Sequence, residues 1–279
     1  MSGPPFVTRF APSPTGLLHR GHAFSALTAF AAAQAVRGRL LLRIEDLDRT
    51  RCRPEFVTAI HEDLAWIGLA WERPVRQQSD HLETYAAALA TLKAQGLLYR
   101  CFKTRSDLEG EIAGAPHGPM DAYRGAALAA AEEARRVAAG EPYAWRLSLA
   151  AAERVLGGFA GLTFVVEGEG LVQARPELGG DVVLARKDGS VAYHLACAVD
   201  DALQAVTHVI RGADLIQAAH VQRLLQALLG LPTPVYRHHR LLAGPDGKRL
   251  AKRDRAETLR DLRARGMTAA ELRGEMGFD

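Results

Sequence analysis

The chain has 279 residues, of which 48% are hydrophobic and 24% charged, with a formal net charge of +3. That is enough chain and apolar content for one large folded domain or two modest ones, and it excludes disorder. The weak positive charge is compatible with a phosphate-bearing partner without requiring one.

In chain order, "PFVTRFAPSPTG" begins as a strand at Val7 to Phe10, after which Pro12, Pro14 and Gly16 force a loop. From His22, "HAFSALTAFAAAQAVRG" spaces apolar residues three to four apart and predicts a helix stopped by Gly38. "RLLLRIEDLD" is a continuous apolar run that ends in acids, as expected of a buried parallel strand. "RPEFVTAIHEDLAWIGL" predicts a second helix, with Pro54 in its first turn and Gly68 at its close. Strand, helix, strand, helix is the beginning of a doubly wound sheet.

After "LYRCFKTRSDLEG" the texture changes. Roughly residues 104 to 140 are rich in Gly, Ala, Pro and charge, with one helix expected in "GAALAAAEEARRVAAG". Short β-like pieces follow: "YAWRLSL", "LTFVVEG" and "DVVLARKDGSVAYHLACAVDD", the last with a hairpin signal at Asp188-Gly189. We read this region as an insertion that returns to the sheet around Tyr193. "AVTHVIRGADL" then predicts a strand, "QAAHVQRLLQALLG" a helix, and "GPDGKRLAKRDRAETLRDLRARG" a basic loop followed by a charged helix. No internal repeat is present.

The longest apolar run, "AFSALTAFAAAQAV", contains polar residues and falls short of a membrane span. "MSGPPFVTRF" has no basic-plus-apolar signal region. Cys52, Cys101 and Cys197 are too scattered for a disulfide framework. A soluble, cytoplasmic, monomeric protein with no membrane partner is expected.

Three stretches could carry chemistry. In "RFAPSPTGLLHRGHAF" a strand breaks into a loop and enters a helix, bringing backbone N–H groups and a positive dipole end to one crevice. His19 and His22 could face that crevice and donate to a phosphate, and Gly21 would admit a flat base. Two histidines so placed could equally be plain helix caps. In "RIEDLDRTR", Arg43, Glu45, Asp46 and Asp48 crowd a strand end; Glu45 is the choice for a substrate ammonium, against a solvated cap with Asp48 paired to arginines. In "GPDGKRLAKRD", Lys248, Arg249, Lys252 and Arg253 could hold leaving phosphates, or be solvated surface.

Taken in order, "RFAPSPTGLLHRGH", "RIEDLD" and "KRLAKR" resemble the class I aminoacyl-tRNA synthetases of the glutamate/glutamine branch, with their HIGH-type motif and KMSKS-type loop. "YHLACAVDDALQAVTHVIRGADL" is similar to the middle segment of that branch, so the resemblance runs from about Val7 to Arg253. It implies an α/β fold with a Rossmann-like doubly wound parallel sheet and an inserted mixed α+β subdomain of acceptor type. The corresponding division is 1–100 and 191–255 for the two halves of the core, 101–190 for the insertion, and 256–279 for a short helical tail.

The resemblance also implies site residues. Arg9, Phe10, Ala11, Pro12 and Ser13 would line the pocket for glutamate and ATP, and Glu45 would receive the α-ammonium. Tyr193 and Arg211 would hold the substrate, Arg211 against its side-chain carboxylate. A guanidinium forks onto a carboxylate but offers no acceptor to an amide, which favours glutamate over glutamine. By their residue types alone, Arg211 could be a structural ion pair and Tyr193 a core aromatic. His19, His22 and Lys252 would be catalytic. Together with Gly21 and Arg249 they would also bind ATP, which Mg²⁺ accompanies.

Length then points, within the branch, to the truncated paralogues that attach L-glutamate to queuosine in the anticodon loop of tRNA(Asp). Only about two dozen residues follow the basic loop, too few for an anticodon-binding domain. The alternatives are a shortened enzyme acting on tRNA(Glu), a non-catalytic RNA-binding paralogue, and a small-molecule adenylating ligase.

Some positions depart from the branch. Its zinc site would use Cys-x-Cys and Tyr-x-x-x-Cys runs, yet here Lys103 follows Cys101 and Ala127 follows Tyr123. Two ligands of four remain, with His117 and Asp107 the only substitutes in view, so no zinc is expected. Arg20 stands where the HIGH-type motif has an apolar residue, and Ala251 replaces the serine of the KMSKS type.

Overall fold

The structure is a computed structural model that describes residues 5–104, 107, 123–242 and 257–278. Its first alternating run is β1 (Val7–Phe10), α1 (Arg20–Ala35), β2 (Arg39–Ile44), α2 (Pro54–Trp66), β3 (Glu72–Gln77) and α3 (Leu82–Ala94). Next come β4 (Leu98–Cys101), α4 (Ala130–Ala138), β5 (Ala144–Leu147), α5 (Leu149–Leu156), β6 (Thr163–Val166), β7 (Gly170–Gln173) and β8 (Val183–Ala185). The remainder is α6 (Tyr193–Leu203), β9 (His208–Gly212), α7 (Ile216–Leu229), β10 (Val235–His239), α8 (Leu259–Ala264) and α9 (Ala269–Glu275).

β1, β2 and β3 form one parallel sheet, with Arg9 beside Leu41. β9, β10 and β6 form a second parallel set, extended by the antiparallel β7. The two sheets meet where Thr207, just before β9, donates its N–H to Val7 O at 2.9 Å. The strand order therefore reverses between β1 and β9, the place where open α/β sheets bind ligands at the strands' carboxyl ends. This is the doubly wound, Rossmann-like architecture expected from the sequence. β4, β5 and β8 form a separate antiparallel sheet, whereas β6, from the same 101–190 stretch, joins the core through Val166 and Tyr236.

Alternation along β2 divides its side chains between two cores. Leu40, Leu42 and Ile44 pack with Leu18, Phe24 and Leu27 of the α1 side and with Ile60 and Leu64 of α2. Leu41 packs on the other face with Leu195 and Val199 of α6 and Leu224 of α7. The C-terminal helices belong to the first of these cores: Leu259, Leu262 and Leu272 are fully buried in it. Arg20, the departure in the HIGH-type motif, pairs with Glu275 of α9 and so faces this tail.

Three local expectations change. The segment from Tyr193 is a helix, not a strand: Tyr193, Cys197 and Asp201 recur every four residues along α6, facing the sheet. Only the turn before it is hairpin-like, with Arg186 N donating to Ser190 O at 2.8 Å and Gly189 at φ 82. α1 is stopped by Arg37, which takes φ 53, rather than by Gly38. Gly38 is needed instead for close approach, since a Cβ there would lie 2.6 Å from Phe6 O. The helix expected in 125–140 begins only at Ala130 and buries no residue.

Candidate active site

A cavity of about 460 Å³ opens at the β1/β9 junction. Arg9, Phe10, Ala11, Pro12, Ser13, His19, Gly21, His22, Glu45, Tyr193 and Arg211 all line it. Every sequence-predicted site residue that is described thus reaches one space. Arg249 and Lys252, with the rest of the basic loop, lie outside the described residues.

The loop after β1 is held in place by the strand beside it: Glu45 N donates to Pro12 O and Arg53 N to Pro14 O, both at 3.1 Å. His19 then caps α1. Its Nδ1 accepts from Gly21 N at 3.1 Å, and His22 Nδ1 accepts from His19 N at 3.2 Å. The capping and cavity-facing readings of these histidines therefore hold together. With Nδ1 accepting, a neutral ring carries its proton on Nε2, as a donor. The two rings stack with centroids 3.8 Å apart. Gly21 leaves room for this cap, because a Cβ there would meet the His19 ring at 3.0 Å.

The acids of "RIEDLD" separate by task. Glu45 lines the cavity and accepts from Arg43 Nη2 at 3.0 Å. Asp46 instead accepts from Ser79 N and Oγ at 2.8 and 2.6 Å, fixing the turn after β3. Asp48 closes a surface turn on Thr50 and Arg51. Burial pushes the Glu45 carboxyl above its ordinary range, while Arg43 and Arg9 pull it back. Burial also raises the Tyr193 hydroxyl and drives the Cys197 thiol up to about 12, so both are neutral near pH 7.

Arg211, at the end of β9, is 4% exposed. Its Nη1 donates to Gln222 Oε1 at 2.9 Å and lies 3.5 Å from Tyr193 Oη. Its Nη2 is buried with no hydrogen-bond partner among the described residues. Arg211 also stacks over the Tyr236 ring at 5.3 Å. Burial, then the Arg211 charge, depresses both His194 and His238 to about 4, leaving them neutral beside it.

Sequence reasoning missed several residues of the cavity. Phe24, Ser25, Gly212, Asp214 and His239 contribute to its wall. His239 Nε2 is 3.0 Å from Ser25 Oγ, a contact across 214 residues that no local spacing signals. Gly212 had a possible signal in the "IRGADL" turn, since a Cβ there would lie 2.4 Å from Asp214 Oδ1. A second cavity, of about 260 Å³, meets the first at Ser13, Glu45 and Tyr193 and is rimmed by Asp48, Arg51 and Arg186.

After β4, Lys103 Nζ lies 5.4 Å over the Tyr123 ring, and Asp107 accepts from Thr104 N at 2.6 Å. His117 lies outside the described residues. No helix among the described residues is long and apolar enough to cross a membrane.

Comparison with known proteins places this geometry in a family. The family described as tRNA synthetases class I (E and Q), catalytic domain, matches residues 5–272. A glutamyl-Q tRNA(Asp) synthetase of Rhodobacter capsulatus is 44% identical, the match covering 98% of this chain and 100% of that one. Glutamate--tRNA ligase 1 of Parvibaculum lavamentivorans is 43% identical, over 98% of this chain and 60% of that one. The crystal structure of a glutamate tRNA ligase from Elizabethkingia meningosepticum, in complex with its amino acid, superimposes with a TM-score of 0.74 at 27% identity. That superposition covers 89% of this chain and 52% of the other, so the chain spans about half of the solved protein. With a family match over residues 5–272 and a relative 44% identical over 98% of its length, the chain belongs to the family of class I tRNA synthetases (E and Q), catalytic domain.

Proposed function

We propose that this cavity activates L-glutamate with ATP and that the glutamyl group then passes to the queuosine base of tRNA(Asp). The observation that carries the first half is Arg211. A buried guanidinium with one arm on Gln222 and the buried Nη2 unpartnered suits a carboxylate, which would take that arm. Glu45 in the same cavity supplies the opposite charge for an ammonium. Together they fit an acidic amino acid rather than a nucleotide alone.

ATP fits the other end. His19 and His22 present Nε2 donors at the start of a 16-residue helix, where anionic groups are favoured. Among the described residues no cluster of three or more His, Cys, Asp or Glu could cage a metal. That suits Mg²⁺ held mainly by phosphates and water.

In the reaction the glutamate α-carboxylate oxygen attacks the α-phosphorus, a P–O bond forms, and the bond to pyrophosphate breaks. His19 and His22 would stabilise the charge that builds on the phosphates, a role that the residue types of Lys252 and Arg249 in the basic loop would share. An RNA hydroxyl then attacks the acyl carbon and AMP leaves. The second cavity, which shares Ser13, Glu45 and Tyr193 with the first, offers the approach for that hydroxyl.

The choice of acceptor rests on the Rhodobacter capsulatus relative, whose whole length this chain matches. A second reading, transfer to tRNA(Glu), is kept by the near-equal identity to the Parvibaculum lavamentivorans ligase. Two assays decide. Glutamate-dependent exchange of pyrophosphate into ATP should proceed without tRNA. Charging should then appear with tRNA(Asp) that carries queuosine and be absent with queuosine-free tRNA(Asp). Charging of tRNA(Glu) would establish the second reading, and absence of both exchange and charging would overturn both.

A further inference from the structure

Behind the cavity wall lies a connected group of charges, most of them buried. Arg43 is fully buried and sits two residues before Glu45, on the same side of the extended chain. Its Nε and Nη2 both donate to Glu45 Oε1, at 3.3 and 3.0 Å. Its Nη1 donates to Asp201 Oδ1 at 2.7 Å, and the same oxygen accepts from Arg9 Nε at 3.0 Å. Asp200, next along α6, accepts from Arg76 Nε at 2.7 Å and from the Tyr85 hydroxyl. Arg9, Arg43 and Arg76 thus balance Glu45, Asp200 and Asp201. Of these six, only Arg9 and Glu45 line the main cavity.

Five of the six are buried and Arg76 is partly so. Burying such charges costs more desolvation than the pairs return unless their geometry is very good, and apolar packing would serve stability as well. The arrangement makes sense as a support for the two members that reach the cavity. A glutamate in so buried a place tends to take up a proton, and a protonated carboxyl could not pair with an ammonium. Resting on the glutamate-activating reading above, we propose that Arg43 and Asp201 are positioning residues: Arg43 holds Glu45 as an oriented anion for the substrate ammonium, and Asp201 aims Arg9 into the same cavity. Glu45 also faces Tyr193, Cys197 and Asp201 from α6, His19, His22 and Arg211 in the main cavity, and Asp48, Arg51 and Arg186 across the second. In Arg43→Met and Arg43→Lys these surroundings are those of wild type, so a difference in their pH profile reports on Glu45, whereas Asp201→Asn also removes one charge that faces it.

The test is glutamate KM, ATP KM and kcat in pyrophosphate exchange from pH 6 to 8.5, for wild type, Arg43→Met, Arg43→Lys and Asp201→Asn. Arg43→Met should raise glutamate KM about 30-fold, the scale of one lost charge-assisted contact, with ATP KM nearly unchanged. Its glutamate KM should fall as pH rises, because Glu45 without its partner ionises only at higher pH. Arg43→Lys should flatten that slope, and Asp201→Asn should raise glutamate KM about tenfold without creating one. If Arg43→Met does not fold, the lysine and asparagine variants carry the same test. An active wild type with unmoved glutamate KM and pH profile in the variants overturns this inference alone. A wild type without glutamate-dependent exchange overturns the reading beneath it.

Discussion

His19 and His22 close one reciprocal cap: each Nδ1 accepts a backbone N–H of the first turn of α1, from Gly21 and His19 respectively. Capping uses Nδ1 of each ring, and the phosphate contact proposed above would use the other nitrogen, Nε2. Asparagine caps helices well but has nothing in place of Nε2. We expect His19→Asn to keep stability within about 0.5 kcal/mol of wild type and to lower kcat for pyrophosphate exchange about 10²-fold or more. His19→Ala should show the same kinetic loss and lose about 1 kcal/mol of stability as well. Chemical denaturation alongside the exchange assay separates the two effects. Near-wild-type exchange in the asparagine variant would remove His19 from the chemistry.

Gln222 is almost completely buried, and its Oε1 holds Arg211 Nη1 at 2.9 Å. Replacing it by Leu removes that acceptor and leaves the buried guanidinium arm only its longer 3.5 Å contact to Tyr193 Oη, at a cost of about 1–3 kcal/mol. The expected outcome for Gln222→Leu is a rise of about tenfold in glutamate KM with ATP KM little changed. Equal rises in both constants would mean that Gln222 acts on the cavity as a whole.

Much of the site was legible because its parts are short and sit at strand ends. Arg9 and Glu45 leave β1 and β2 at adjacent carboxyl ends, and the runs around them carry the buried-strand signature. What escaped was set by long-range packing. Asp201 meets Arg9 across 192 residues, and its place became visible only once Tyr193–Leu203 was found to be helical. The alternating apolar residues before that segment pointed to strand, while its own four-residue spacing of Tyr193, Cys197 and Asp201 was the better guide. Gly38 shows another limit. A glycine after a helix suggests a left-handed stop, yet the close approach of Phe6 explains it here.

Just after β4, Lys103 occupies the place a second cysteine would take, and its ammonium lies over the Tyr123 ring at 5.4 Å. Cys101 is itself 5% exposed. Metal analysis of the purified protein should find zinc well below one per chain. A zinc-selective chelator should leave exchange unchanged when Mg²⁺ is in excess. Stoichiometric zinc would show that another ligand set has replaced the lost cysteines.

Asp63 of α2 is fully buried, its nearest cation being Arg263 Nη2 at 3.8 Å on α8. Neither carboxylate oxygen has a hydrogen-bond partner among the described residues. Burial pushes this carboxyl up to about 6 from an ordinary 3.8, against the pull of Arg263 and Arg260. The folded state therefore binds this proton more tightly than the unfolded chain, so its contribution to stability is lost as pH rises from about 4 to 6. Asp63→Asn should be more stable than wild type above pH 6 by about 1–3 kcal/mol, with the gap closing near pH 4. Urea denaturation across that range measures it. A variant less stable than wild type at pH 7 would show that the Arg263 pairing outweighs burial.

His194 and His238 work in the opposite direction over nearly the same range. Burial and Arg211 depress both to about 4, below the ordinary 6.5. As pH falls below 6.5 the unfolded chain takes up these protons first, so the stability from the neutral rings is full above that value and drains away toward pH 4. Asp63 gains stability on acidification while the two histidines lose it, so the two contributions oppose each other in the wild-type profile. In an Asp63→Asn background the histidine contribution is no longer offset by Asp63, and stability should fall more steeply than in wild type from pH 6.5 to 4.5. Adding His238→Gln should reduce that slope by about 1 kcal/mol per pH unit, somewhat less than a full proton because the ring is only half-buried. An unchanged slope would show that His238 takes up no net proton on unfolding and is not held neutral by Arg211.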